Sequence, residues 1–179
     1  TATFTAGAGS TNDGTISGTG TLTLNGALTN NAALTQNTLN FTNGSTLSAA
    51  DGASVTLSNI SNDSNNGTFN ADNSSFTKYV IGRANLNSAL NLAIDMSLSS
   101  NSADTFTLTE GSAGSGTFNV KTLDISAADQ ADFRANTSST SVVRKIINNA
   151  DNDTILTLDP DVISSYDIAI ADTTESGTD

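Results

Sequence analysis

Between Leu90 and Leu98 apolar and polar side chains alternate strictly: Leu90, Leu92, Ile94, Met96 and Leu98 are separated by Asn91, Ala93, Asp95 and Ser97. A period of two places the five apolar residues on one face of a strand, whereas a helix would scatter them around its circumference. After a polar break from Ser99 to Ala103 the alternation resumes at Phe106 and Leu108, pauses from Glu110 to Gly116, and returns at Phe118 and Val120 and at Leu123 and Ile125. These are short strands joined by turns of small residues. The pattern predicts that Leu90, Leu92, Ile94, Met96, Phe106, Leu108, Phe118, Val120, Leu123 and Ile125 share one core, with Asn91, Ala93 and Asp95 pointing away.

Upstream, residues 1–60 form a ladder of shorter pieces, each centred on one or two apolar residues: Phe4, Ile16, Leu22 and Leu24, Leu28, Leu34, Leu39 and Phe41, Leu47, then Val55 and Leu57. Asp13-Gly14, Asn25-Gly26, Asn43-Gly44 and Asp51-Gly52 separate them, dipeptides that favour the positive φ of tight turns. Such strands are too short and too weakly apolar to bury a hairpin core. Stacked in parallel along an axis, each covers the next, and Asn, Thr and Ser side chains can pair from rung to rung. The most polar part, residues 61–78, is expected to be one coil with long turns, anchored by Phe69 and Phe76. Residues 126–136 break the pattern, and Ala127, Ala128, Ala131 and Phe133 fit one or two helical turns. In the following segment Val142, Val143, Ile146 and Ile147 have a helical spacing but β-branched side chains, which favour a strand with a bulge. Two further strands are expected around Ile155, Leu156 and Leu158 and around Tyr166, Ile168 and Ile170.

The turn glycines follow no constant period, which excludes rigid hexapeptide and nonapeptide repeats. The fold expected is therefore all-β, a right-handed parallel β-helix (β-solenoid) with irregular turns. Residues 1–172 form its single domain, and 173–179 an acidic flexible tail. About 20 residues per coil would give about nine coils and a rod on the order of 40 Å long.

The segment AIDMSLSSNSADTFTLTEGSAGSGTFNV resembles the late part of the passenger domain of autotransporter adhesins of the pertactin-like kind. The residues that carry the resemblance are Ile94, Asp95, Met96, Leu98, Ala103, Asp104, Phe106, Leu108, Gly114, Ser115, Gly116, Phe118 and Val120. They reproduce the family's order of strand, Ser/Ala-Asp turn, strand, Gly/Ser turn and strand. The resemblance implies a bacterial outer surface, with the translocating barrel outside these residues.

Composition narrows the function. Thr, Ser and Asn supply 74 of the 179 residues, and only 13% are charged. The apolar 36% recurs in alternation, which separates the chain from disordered sequences of similar polarity. A net charge of −12 and a pI near 4.1 disfavour nucleic acid and anionic membrane surfaces as partners. All six basic residues lie between 78 and 145, and residues 146–179 hold eight acids and no base. Cysteine is absent, as expected of a passenger that crosses a membrane unfolded, and no run is long and apolar enough for a membrane span. The abrupt start at Thr1 is expected of a processed or excised piece.

Without His, Cys or Trp, the usual nucleophilic triads, the usual zinc ligand sets and the best sugar-stacking ring are all missing. Carboxylates remain. Asp151 with Asp153, and Asp159 with Asp161, could each present two carboxylates on one strand face, as in β-helix enzymes acting on polysaccharides. Asn152 and Pro160 make both places turn-like, which favours solvated acids. The same four residues are the candidate metal ligands, with calcium the ion such hard oxygens would take; the chain is otherwise expected to need no cofactor. The Thr-x-Thr runs at Thr1-Thr3-Thr5, Thr19-Thr21-Thr23 and Thr105-Thr107-Thr109 resemble ice-binding faces but are irregularly spaced, and β-propensity alone explains them.

The function expected is a secreted or cell-surface β-solenoid, structural or adhesive and not an enzyme, located outside the cell or on a bacterial outer surface. Its partners would be a host or cell-surface ligand or further copies of itself, with no membrane insertion by this segment. The alternative is a self-assembling subunit of an extracellular filament, joined by addition of the N-terminal strand to a neighbour. A polysaccharide-acting β-helix enzyme comes third.

Overall fold

The computed structural model describes residues 3–97, 100, 102–125, 147–149 and 156–158. Every regular element among them is a strand, and the strands form two sheets. In the nine-stranded sheet the order is β1 (Thr3–Ala6), β4 (Thr21–Leu24), β6 (Ala33–Phe41), β8 (Ser54–Asn62), β10 (Lys78–Leu86), β13 (Thr105–Leu108) and β16 (Ile147–Asn149). Beside this path, β3 (Ile16–Ser17) pairs with β6 and β14 (Ser112–Gly114) with β10. The eight-stranded sheet runs β2 (Ser10–Asn12), β5 (Ala27–Asn30), β7 (Thr46–Ala49), β9 (Gly67–Asn70), β11 (Leu90–Ser97), β15 (Phe118–Ile125) and β17 (Leu156–Leu158). All these pairings are parallel; only β12 (Ser102–Ala103) is antiparallel, folding back on the end of β11.

The chain visits the two sheets in turn, and the register keeps like with like. Leu28 pairs with Leu47, Leu47 with Phe69, Phe69 with Leu92 and Leu92 with Val120. In the other sheet Leu22, Leu39, Ile60 and Ala84 follow one another in the same way. All nine side chains are buried in one hydrophobic core between the sheets. Aromatic rings fill its middle: Phe106 stacks on Tyr79 at 5.0 Å and meets Phe69 edge-on at 5.1 Å. Phe4, on the outermost strand over Leu22, is 59% exposed.

The ten core residues that alternation identifies between Leu90 and Ile125 are all buried. Their polar neighbours differ from expectation, since Asn91 and Asp95 are buried too. Asn91 accepts a hydrogen bond from Asn119 on the next strand (3.2 Å), and Asp95 is covered by the loop that follows β9. Similar pairing of Asn side chains recurs elsewhere, as with Asn12 donating to Asn30 at 2.6 Å. The sequence separation of these partners grows from 18 residues to 28, so turns lengthen along the chain.

Three local expectations need correction. Residues 33–41, expected as separate pieces around Leu34 and around Leu39 and Phe41, form a single strand of nine residues, whereas the piece around Val55 and Leu57 is one strand as expected and runs on to Asn62. Phe69 is a core residue, but Phe76 lies in the loop after β9 and is 47% exposed. Among the four turn dipeptides, Asn43-Gly44 has both residues at positive φ (55° and 68°), and Gly52 has φ 73°. Gly26 serves close approach instead, because a Cβ there would lie 2.5 Å from the Ala8 nitrogen. The readings for 126–146, for Tyr166 to Ile170 and for the tail fall outside the described residues; the strand at Leu156–Leu158 is present.

Candidate functional site

Charge gathers where the loop after β9 meets the ends of β11 and β15. Asp95 on β11 is the register partner of Asp124 on β15. Asp72 follows β9, two residues beyond Asn70, which itself pairs with Ala93. Carboxylate oxygens of Asp72, Asp95 and Asp124 all lie within 4.8 Å of one another. Asp95 and Asp124 are in-register neighbours on adjacent parallel strands and Asp72 lies in the loop beside them, so three like charges are held close together and repel each other.

A fourth acid lies deeper. The fold-back of β12 places Asp104 against β11, where it is fully buried. Its two carboxylate oxygens accept hydrogen bonds from the backbone N–H groups of Thr77 and Asp95, both at 2.8 Å. Asp95 accepts a third backbone hydrogen bond, from Asn73 at 2.7 Å. From the opposite side Asp51 accepts the backbone N–H of Ser74 at 2.8 Å, together with the hydroxyls of Ser74 and Ser75. Carboxylates from three passes of the chain thus satisfy the N–H groups of Asn73, Ser74 and Thr77 in one irregular loop.

The electrostatics of the two sides differ. Hydrogen bonds from Ser74 hold the exposed Asp51 carboxyl below the usual range. Burial pushes Asp95 up to about 7 and Asp104 up to about 6, only partly offset by their backbone hydrogen bonds, and neighbouring carboxylates push in the same direction. Among the described residues, no cation acts on either group. Burial also raises the Tyr79 phenol to about 12, assisted by the charges of Asp104 and Asp95.

A carboxyl whose folded value is raised holds its proton more tightly in the folded chain than in the unfolded one. Its stabilising contribution is complete below the unfolded value near 3.8 and is lost as pH climbs through the folded one. In buffer containing EDTA, the thermal unfolding midpoint is therefore expected to fall between about pH 4 and pH 7 and to level off above. Asp104→Asn should flatten this slope, and a slope unchanged in that variant would show that the corner is not its source.

The candidate ligands Asp151, Asp153, Asp159 and Asp161 lie outside the described residues. The Thr-x-Thr runs are placed: Thr3 pairs with Thr21 and Thr5 with Thr23, but the next strand continues as Thr38 and Asn40. Thr105 and Thr107 stand beside Lys78 and Val80. A flat threonine face two residues wide thus ends after two strands.

The corner itself escapes sequence reasoning. Asp72, Asp95 and Asp124 are unequally spaced in the chain, and only the register aligns them. The one available signal is Asp95, a charge inside the longest alternating run.

No protein-family model, no curated protein and no solved structure matches this chain.

Proposed function

We propose that the chain is a stretch of right-handed parallel β-helix, secreted or displayed on a bacterial surface, whose role is structural or adhesive and not catalytic. The observation that carries this reading is the in-register return of the chain to each sheet, with Leu28, Leu47, Phe69, Leu92 and Val120 in one file. A chain that comes back to the same sheet at the same register on every pass winds around an axis. The long strands of the nine-stranded sheet support a three-sided cross-section. Their paired registers skip residues 37 and 58 together, then 58 and 82 together, as at a shared corner.

The outward positions support adhesion. Thr11, Thr29, Ser48, Asn70 and Ala93 form one file of small, uncharged side chains that are at least partly exposed. Such a surface binds through many dispersed hydrogen bonds, which suits a host or cell-surface ligand better than a small substrate. The likeness of residues 94–120 to autotransporter passengers supports an outer-surface location. The loop-holding work of Asp51, Asp95 and Asp104 is a structural use of acids, with both oxygens of Asp104 already engaged.

Small-angle scattering tests the architecture, since a wound rod gives an elongated particle of constant cross-section and a two-layer globule does not. Hydrolase and lyase assays on pectins, glycans and peptides are expected to be blank. Turnover that disappears in Asp95→Asn, Asp151→Asn or Asp159→Asn would overturn the non-catalytic reading.

A further inference from the structure

Residues 71–77, between β9 and β10, are pinned at both ends and held by acids in the middle. The Ala71 N–H donates to the Ala93 carbonyl at 2.8 Å, and the Thr77 carbonyl accepts the N–H of Thr105 at 3.0 Å. Between these anchors the backbone N–H groups of Asn73 and Ser74 go to the carboxylates of Asp95 and Asp51. The Asn73 side-chain amide donates to the Ala49 carbonyl at 3.1 Å. Asp95 and Asp124 are fixed opposite each other on β11 and β15, whereas Asp72 belongs to the loop, and the three carboxylates meet within 4.8 Å. The loop also closes over Tyr79, which is fully buried and on whose hydroxyl the side chains of Thr77 and Asn73 act.

We propose that residues 71–77 form a pH-controlled strap, which lies over Tyr79 while the corner of Asp72, Asp95 and Asp124 holds a proton and lifts when that corner is fully ionised. Two of the three charges are fixed in the sheet, so their repulsion is relieved only by moving the one that rides on the loop. The charged groups that face Asp95 are all acids: Asp72 from the loop, Asp124 from β15 and Asp104 from the fold-back at β12. The phenol of Tyr79 on β10 adds no positive charge, and among the described residues no cation acts on Asp95. Burial lifts Asp95 to about 7 and Asp104 to about 6, in agreement with a corner that loses its protons near neutrality. The closed strap binds protons more tightly than the lifted one, so raising the pH through these values favours lifting. Asp51 sets the other limit. Its hydrogen bonds from Ser74 hold it below the usual carboxylate range, so they persist at neutral pH and are lost only in strong acid. The pinned ends confine the movement to the loop, which separates it from unfolding. The proposal does not depend on the adhesive reading.

Tyr79 reports the state of the strap, because the chain has two tyrosines and no tryptophan, and Tyr166→Phe leaves Tyr79 alone. In EDTA, the near-ultraviolet absorbance of the full Tyr166→Phe chain is expected to move toward that of a hydrated tyrosine between about pH 6 and pH 8, with far-ultraviolet circular dichroism unchanged. Hydrogen exchange should lose protection about tenfold at Asn73 and Ser74 over the same range and keep it at Asn31, whose N–H pairs with the Asn12 carbonyl far from the corner. Asp72→Asn and Asp124→Asn alter exposed side chains and should raise the midpoint by about one pH unit or more, the size of the coupling between close carboxylates. Asp63→Asn, which removes an acid from a different turn, should leave the midpoint in place. Absorbance of Tyr79 that does not change with pH over this range would overturn the proposal. So would a midpoint unmoved in both corner variants, or a Tyr79 change that coincides with loss of the circular dichroism, since the latter is unfolding of the whole chain.

Discussion

Phe106→Ala is expected to destabilise the fold by about 3–5 kcal/mol, the usual cost of emptying a buried aromatic site. The residue is fully buried and stands where the two sheets meet. It stacks on Tyr79 of its own sheet and contacts Phe69 and Phe118 of the other, with ring centroids 5.1 Å and 6.1 Å away. Each aromatic pair contributes about 0.5–1.5 kcal/mol beyond the area it buries, so one truncation loses several terms at once. The hole cannot readily collapse, because its walls are held by parallel ladders on both sides. Natural domains have only about 5–15 kcal/mol of stability in all, so the loss is a large share. Urea unfolding should show a lower midpoint with an unchanged slope, and a loss under about 1 kcal/mol would mean that the aromatic cluster is not the centre of the core.

The ring cluster also shows which parts of this structure can be read from the chain. Phe106, Phe118 and the alternating residues around them announce their burial locally, because a period of two needs no knowledge of partners. Phe69 and Phe76 look equivalent in sequence, yet one is core and the other is in the loop after β9. Their difference lies in which side chain meets Leu47 and Leu92 across the sheet, and variable turn lengths hide that register. Asp95 illustrates the same limit. Alternation correctly separates it from Ile94 and Met96, but its burial comes from a loop more than 20 residues earlier, whose N–H of Asn73 it accepts. The column Asp72, Asp95, Asp124 is invisible for the same reason, since no constant repeat brings its members into line. Rung-to-rung pairing of Asn is legible as a tendency, while the particular pairs, Asn12 with Asn30 and Asn91 with Asn119, are set by register.

Gly82→Val is expected to prevent folding or to cost about 4 kcal/mol or more, a magnitude reserved for a few named mechanisms. The mechanism here is a collision with backbone. A Cβ on Gly82 would lie 2.3 Å from the carbonyl oxygen of Ser58 and 3.1 Å from its carbon, atoms of the adjacent strand β8 that no rotamer change can move. Gly82 stands between Ile81, paired with Leu57, and Arg83, paired with Asn59, where the pairing passes over residues 58 and 82 together. On its other side its carbonyl accepts the N–H of Glu110 at 2.7 Å, so the backbone is held from both directions and cannot step away. Glycine is needed for the closeness of the strands, and its sequence context, Ile81-Gly82-Arg83, carries none of the turn signals that mark Asn43-Gly44. Gly82→Ala should already cost about 1–3 kcal/mol, as overpacking does. Gly14 provides the contrast: nothing lies within 4 Å of a Cβ built there. Gly14→Ala is expected to be neutral or to stabilise by up to about 1 kcal/mol through the unfolded chain. Urea midpoints of the three variants decide the matter, and a Gly82→Ala protein as stable as Gly14→Ala would show that β8 and β10 part freely at this point and do not pack there as described.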